Sequence, residues 1–128
     1  MKSRCDFCYR HCTLDEGQSG ICSVRTLEQG RIVTKAYGHL AALAVDPVEK
    51  KPLYHFLPGS KTLSLAMPGC NLACDFCQNY TISQSSYHQH QAGEAIDTAA
   101  LVSLAVERNC PSISFTYSEP LVWQDYML

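Results

Sequence analysis

Cys70, Cys74 and Cys77 fall within one ten-residue stretch, CNLACDFCQN, at spacings of four and three. Three thiols this close suit neither of the common structural uses. A structural zinc site takes four protein ligands in a tetrahedron, and a disulfide framework takes an even number of cysteines. A cubane of four irons and four sulfides is different: three thiolates hold three corners and leave the fourth iron open to an external ligand. An open iron supplies chemistry as well as structure. A zinc loop completed by His88 or His90 is the competing reading of the same thiols.

A second group precedes it. Cys5, Cys8, Cys12 and Cys22 provide four ligands, enough to close either a tetrahedral zinc site or an auxiliary iron–sulfur cluster. Composition does not choose between these, and free or redox thiols are the alternative. His11 could replace one thiolate, although four cysteines already complete a site. Residues 1–29 contain the turn formers Asp15, Glu16, Gly17 and Gly20 and show little hydrophobic periodicity, so ligands rather than packing are expected to fix this segment.

The elements that must position the thiols can be read around them. RIVTKAY, from Arg31, reads as a β-branched strand, and the following stretch, broken by Pro47, Pro52 and Pro58, as extended chain with turns. KTLSLAM (61–67) alternates Leu63 and Leu65 and halts at Pro68-Gly69, which places Cys70 on the loop leaving that strand's C-terminal end. Asp97 can cap a helix whose inward face carries Leu101, Leu104, Ala105 and Arg108, and Asn109 can close it. A second strand follows over 112–117. Strand, loop, helix, strand is a βα unit with parallel strands, so the fold class is α/β, with chemistry expected at the strands' C-terminal edge. The apolar end, LVWQDYML, with no capping glycine or basic last turn, reads as a helix cut short.

Composition narrows the function classes. Ten Lys plus Arg against twelve Asp plus Glu give a net charge of −2, which offers no footprint for nucleic acid or anionic lipid. The longest aliphatic run, Leu40 to Val45, is far short of the roughly 20 residues that span a bilayer, and the start, MKSRCDFCYRHC, lacks the apolar stretch of a secretory signal. The expectation is a cytoplasmic protein, where reduced cysteines in spaced groups bind metal.

The Cys70-x3-Cys74-x2-Cys77 pattern, with YSEP (Tyr117 to Pro120) closing the second strand, resembles the radical S-adenosylmethionine enzymes. The addition of the four amino-terminal cysteines, VDPVEKKPLYHFLPGS and SFTYSEP brings the chain closest to the AmmeMemoRadiSam group, related to pyruvate formate-lyase activating enzymes. The resemblance spans nearly all of the chain but only the amino-terminal part of the longer family members. It implies a cysteine-rich segment over 1–29, then the start of a partial βα barrel over 30–128, truncated at its C-terminal side. Such a piece is expected to expose barrel edges, and to aggregate or bind cofactor weakly.

The resemblance also implies roles. Cys70, Cys74 and Cys77 would ligate a [4Fe-4S] cluster whose open iron takes S-adenosyl-L-methionine, and Phe76 would lie beside the adenine. Glu119, with Tyr117 and Ser118, would stand where the family's Gly-Gly-Glu-Pro receives the methionyl amine; the two glycines are missing here. Asn79 is either a hydrogen-bonding partner of loop or cofactor or a plain turn residue. The implied reaction is reductive cleavage and hydrogen abstraction by a 5′-deoxyadenosyl radical. An electron donor such as flavodoxin or ferredoxin would serve it, and the target would be a glycyl radical enzyme or another partner. A non-enzymatic zinc module and an iron–sulfur electron carrier are the alternatives.

Other residues have plainer readings. His39 and His55 are expected to be partly buried and hydrogen-bonded, His88 and His90 to be solvated, Cys110 to pack as a small apolar residue, and Lys50 and Lys51 to form a solvated charged turn, with a role beside an anionic carboxylate as the other reading.

Overall fold

The computed structural model describes residues 2–86 and 95–128. His88 and His90 lie outside the described residues. Among those described, no helix is long and apolar enough to cross a membrane.

The cysteine-rich start is built from two antiparallel hairpins. β1 (Lys2–Arg4) pairs with β2 (Thr13–Asp15), and β3 (Arg25–Glu28) with β4 (Arg31–Thr34). The second hairpin turns through two left-handed residues, Gln29 at φ 50° and Gly30 at φ 75°, the backbone a two-residue primed turn requires. The Glu16 carboxylate receives both turn amides, Gln29 N–H and Gly30 N–H. This hairpin runs across the 29/30 position at which the sequence suggests a boundary. Cys5, Leu14 and Leu27 are buried together, with Phe7, Cys12 and Ile32 packed against them. Packing therefore contributes to this segment, contrary to the expectation that ligands alone would fix it. Strands of three or four residues with one inward side chain, such as Leu14 between exposed Thr13 and Asp15, are too short to leave a periodic signal.

The main sheet has the order β5-β6-β7, with β5 Ala42–Pro47, β6 Lys61–Ala66 and β7 Ser112–Phe115. β5 runs antiparallel to β6, and β7 runs parallel to it. A regular strand thus forms where the sequence suggested irregular extended chain; Pro47 is tolerated because it ends an edge strand. No barrel closes among the described residues.

Register sorts the two faces. Leu43, Val45, Leu63, Leu65, Ile113 and Phe115 share one, and Ala42, Ala44, Asp46, Thr62, Ser64 and Ser114 share the other. After α1 (Tyr80–Ser83), helix α2 (Thr98–Glu107) covers the apolar face with Leu101 and Ala105. It starts at Asp97, whose carboxylate accepts the Ala100 N–H at 2.7 Å. It stops at Asn109, φ 55°, with Cys110 N–H bonded to Ala105 O at 2.8 Å and Asn109 N–H to Val106 O at 3.0 Å, a Schellman closure. Cys110 joins the core, as its sequence context suggests.

The chain's end completes that core. A 3-10 turn, Pro120–Trp123, leads into α3 (Gln124–Met127), and Val122, Trp123 and Tyr126 are buried. Arg25, only 2% exposed, ties this end to β3: its guanidinium grips Asp125 at 2.8 and 2.9 Å and its Nε donates to Val122 O at 2.7 Å. The same guanidinium lies 3.7 Å over the Phe7 ring. A fork that satisfies a carboxylate, a carbonyl and an aromatic face is specific to arginine.

Candidate functional site

β6 and β7 are parallel neighbours, so the loops leaving their C-terminal ends meet. The first carries Cys70, Cys74 and Cys77; the second carries Tyr117, Ser118 and Glu119. Together with Leu72, Asn79 and Ser83 these nine residues line a cavity of about 330 Å³. Thr116 N–H bonds Leu65 O at 3.0 Å and Ser118 Oγ lies 3.4 Å from Met67 O, which fixes the second loop against the first.

The cysteine loop is held from three sides. Gly69 N–H donates to Ile82 O at 3.0 Å, Cys70 N–H to Cys22 O at 3.2 Å, and Arg10 Nε to Asn71 O at 3.2 Å. Gly69 has φ 97°, and a Cβ there would stand 2.3 Å from Cys22 O and 2.6 Å from Val24 Cγ2. Only glycine fits so close to another backbone. The amino-terminal cysteine segment is therefore the bed on which the second cysteine group lies.

The three thiols differ in exposure: Cys70 is buried, Cys77 intermediate and Cys74 exposed. Two have hydrogen-bonding neighbours that suit a thiolate. Glu119 N–H donates to Cys70 Sγ at 3.4 Å, and the Ser83 hydroxyl lies 3.4 Å from Cys77 Sγ. Three sulfurs around a cavity, with donors aimed at two of them, fit a group that fills a volume. Among the described residues no set of three or more Cys, His, Asp or Glu side chains converges tightly enough to enclose a single metal ion.

Glu119 is half-buried, and its carboxylate also accepts the Leu121 N–H at 3.2 Å, capping the 3-10 turn. Tyr117 occupies the position of the first glycine in the motif the chain resembles, and its φ of 68° explains why glycine suits that position. Phe76 does not line the cavity; its side chain is 91% exposed.

Behind Tyr117, on the small and polar face of the sheet, lies a charged cluster. Tyr117 Oη donates to Asp46 Oδ2 at 2.9 Å, while Lys50 Nζ and Lys51 Nζ donate to Asp46 Oδ1 and Oδ2 at 2.9 and 3.0 Å. Lys51 also sits 4.8 Å over the Tyr117 ring. The Lys50 ammonium, opposed by burial and joined by Lys51, holds the Asp46 carboxyl well below the usual carboxylate range. Burial, followed by the bond to Asp46, pushes the Tyr117 phenol up. The solvated turn expected of both lysines is correct for Lys50, with 58% of its side chain exposed, and incorrect for Lys51, with 13%.

Of the four amino-terminal thiols, Cys5 and Cys22 are buried and Cys8 and Cys12 partly so. Burial pushes the Cys5 thiol up; a Phe7 N–H opposes this, neighbouring Cys22 and Cys8 add to it, and Arg25 opposes it. His11 is engaged elsewhere, with Nδ1 2.8 Å from Asp6 Oδ1. His55 is exposed, contrary to the expected partial burial, because the whole stretch 52–59 stands out from the sheet. His39 is half-buried.

No family model matches the chain, and no solved structure matches it. Over 126 residues it is 44% identical to uncharacterized protein MJ0808 of Methanocaldococcus jannaschii. The match covers 98% of this chain and 38% of that protein, so the chain spans well under half the length of this relative.

Three contributors to the site escape sequence reasoning. Ser83 lies six residues beyond Cys77 in a polar run with nothing to single it out, and Leu72 reads as filler between cysteines. Asp46 is the more instructive omission. An aspartate at the end of an aliphatic run, LAALAVDP, followed by two lysines, carries the signal of a buried charge with partners four and five residues away.

Proposed function

We propose that the chain is part of a radical S-adenosylmethionine enzyme. The observation that supports this best is the single cavity formed by Cys70, Cys74 and Cys77 from one loop and Tyr117, Ser118 and Glu119 from the next. The three cysteines would hold a [4Fe-4S] cluster at three of its irons, and the Glu119 carboxylate would receive the methionyl amine of S-adenosylmethionine. When bound, the pair supplies one-electron reductive cleavage and hydrogen abstraction. The chain's own part is to hold and screen. The Glu119 amide and the Ser83 hydroxyl would stabilise thiolate charge at Cys70 and Cys77, and the negative side chain of Glu119 would favour an ammonium over neutral ligands.

A low-potential donor of the flavodoxin or ferredoxin kind and a protein target, such as a glycyl radical enzyme, are the partners this reading requires. The amino-terminal cysteines would bind a second metal, zinc or an auxiliary cluster, beneath the catalytic loop. The test is electron paramagnetic resonance on anaerobically reconstituted, reduced protein, with and without S-adenosylmethionine. A cluster signal that changes on addition of the cofactor is expected, and it should be lost in Cys74→Ala. A signal indifferent to the cofactor would replace the enzyme with an electron carrier. Zinc without iron or sulfide in anaerobically isolated protein would replace it with a metal module.

A further inference from the structure

Tyr117 is the one non-glycine residue with a left-handed backbone among those lining the cavity. A bulky side chain at φ 68° is strained, and such strain persists only where the surroundings enforce it. Here the enforcement can be named. The phenol oxygen is bonded to Asp46, the ring faces the Lys51 ammonium, and Asp46 is itself 6% exposed and fixed by two lysines. Two residues further on, the Glu119 amide is bonded to Cys70 Sγ. The chain of contacts runs from Asp46 through Tyr117 and its turn to the first cysteine.

We propose that Asp46 is a positioning residue for the cavity: acting through the Tyr117 hydroxyl, it holds the 117–119 turn in its strained form and so keeps the Glu119 N–H on Cys70 Sγ. Asp46 touches no residue of the cysteine loop among its hydrogen-bond partners. Its effect is transmitted by backbone geometry. The inference rests on the reading of this cavity as the cofactor site, but its central test measures the cavity wall itself.

Cys70 is 9% exposed and Cys110 is 6% exposed, the latter in the core beyond α2. In the full chain, reduced and stripped of iron, each can be followed by the rate of iodoacetamide alkylation mapped by mass spectrometry. Releasing the turn should raise the Cys70 rate about tenfold, the factor expected when a side-chain hydrogen bond that holds a local structure is lost. Tyr117→Phe and Asp46→Ala should each do this while leaving Cys110 unchanged. The double variant should be no faster than either single one, and Asp46→Asn, which keeps an oxygen for the phenol, should fall between. An unchanged Cys70 rate in Tyr117→Phe would overturn the proposal. So would equal acceleration of Cys110, which marks general loosening, or multiplicative effects in the double variant. If alkylation behaves as expected but the reduced protein ignores S-adenosylmethionine, the enzymatic reading fails and the positioning role stands; the reverse pair of results has the opposite meaning.

Discussion

Asp46 is ionised where little water reaches it, and that gives the protein a pH dependence of known sign. Its folded-state carboxyl titrates below the usual range because of Lys50 first and Lys51 after it, whereas an unfolded aspartate titrates near 3.9. The unfolded state takes up the proton first. The stabilisation is therefore complete above about pH 4 and shrinks as pH falls below that value toward the folded-state one. Denaturant unfolding of wild type and Asp46→Asn should show a gap at neutral pH that narrows steadily between about pH 4 and pH 2. A gap independent of pH would mean that the carboxylate charge contributes nothing. The three cysteines pose a separate question at this scale: exposed Cys74 has neither donor described for Cys70 and Cys77 among its printed neighbours, and so is the thiol that substitution should perturb least in the folded apoprotein.

At the scale of elements, α2 can be tested at its cap and at its face. Asp97→Ala removes the acceptor for the Ala100 amide and should cost about 1 kcal/mol of stability. Leu101→Ala empties a position that is 2% exposed between the helix and the sheet, and should cost about 2–5 kcal/mol. Chemical denaturation reads both, and a smaller loss at Leu101 than at Asp97 would mean that the helix is held by its ends and not by packing. These elements were legible in the sequence because α2 and β6 each carry a full period of apolar residues, as in Leu63 and Leu65, bounded by Pro68-Gly69 or by Asp97 and Asn109. The cavity was legible in outline for a related reason: parallel neighbours bring their C-terminal loops together whatever those loops contain. What could not be read were contacts set by register and by distance along the chain. β1 to β3 are too short to show a period. Ser83 and Arg25 act through partners that only the folded backbone supplies. The exposed stretch around His55 has the composition of a buried one, so composition misplaced it.

For the whole molecule, two contacts join the cysteine-rich start to everything after it. Arg25 reaches across 100 positions to Asp125, and replacement by Met, which keeps the bulk and loses every charged bond, should cost about 2–3 kcal/mol. Gly69 meets Cys22 and Val24 with no room for a Cβ, whereas Gly59, also left-handed at φ 76°, has nothing within 4 Å. Gly59→Ala should show the backbone cost alone, about 1 kcal/mol, and Gly69→Ala that cost plus a displacement of the cysteine loop, seen as lost iron in reconstituted protein. Equal iron content in the two variants would show that the loop does not depend on its bed. The same junction has a consequence in time. During synthesis the hairpins that carry Cys22 are complete before Cys70 is made, while Glu119, which covers Cys70 from the other side, follows it by 49 residues. At about 5–20 residues per second, translation leaves an interval on the order of 2–10 s in which the nascent Cys70 has its floor and lacks its roof. In that interval oxidants and metals have their freest approach to the thiol.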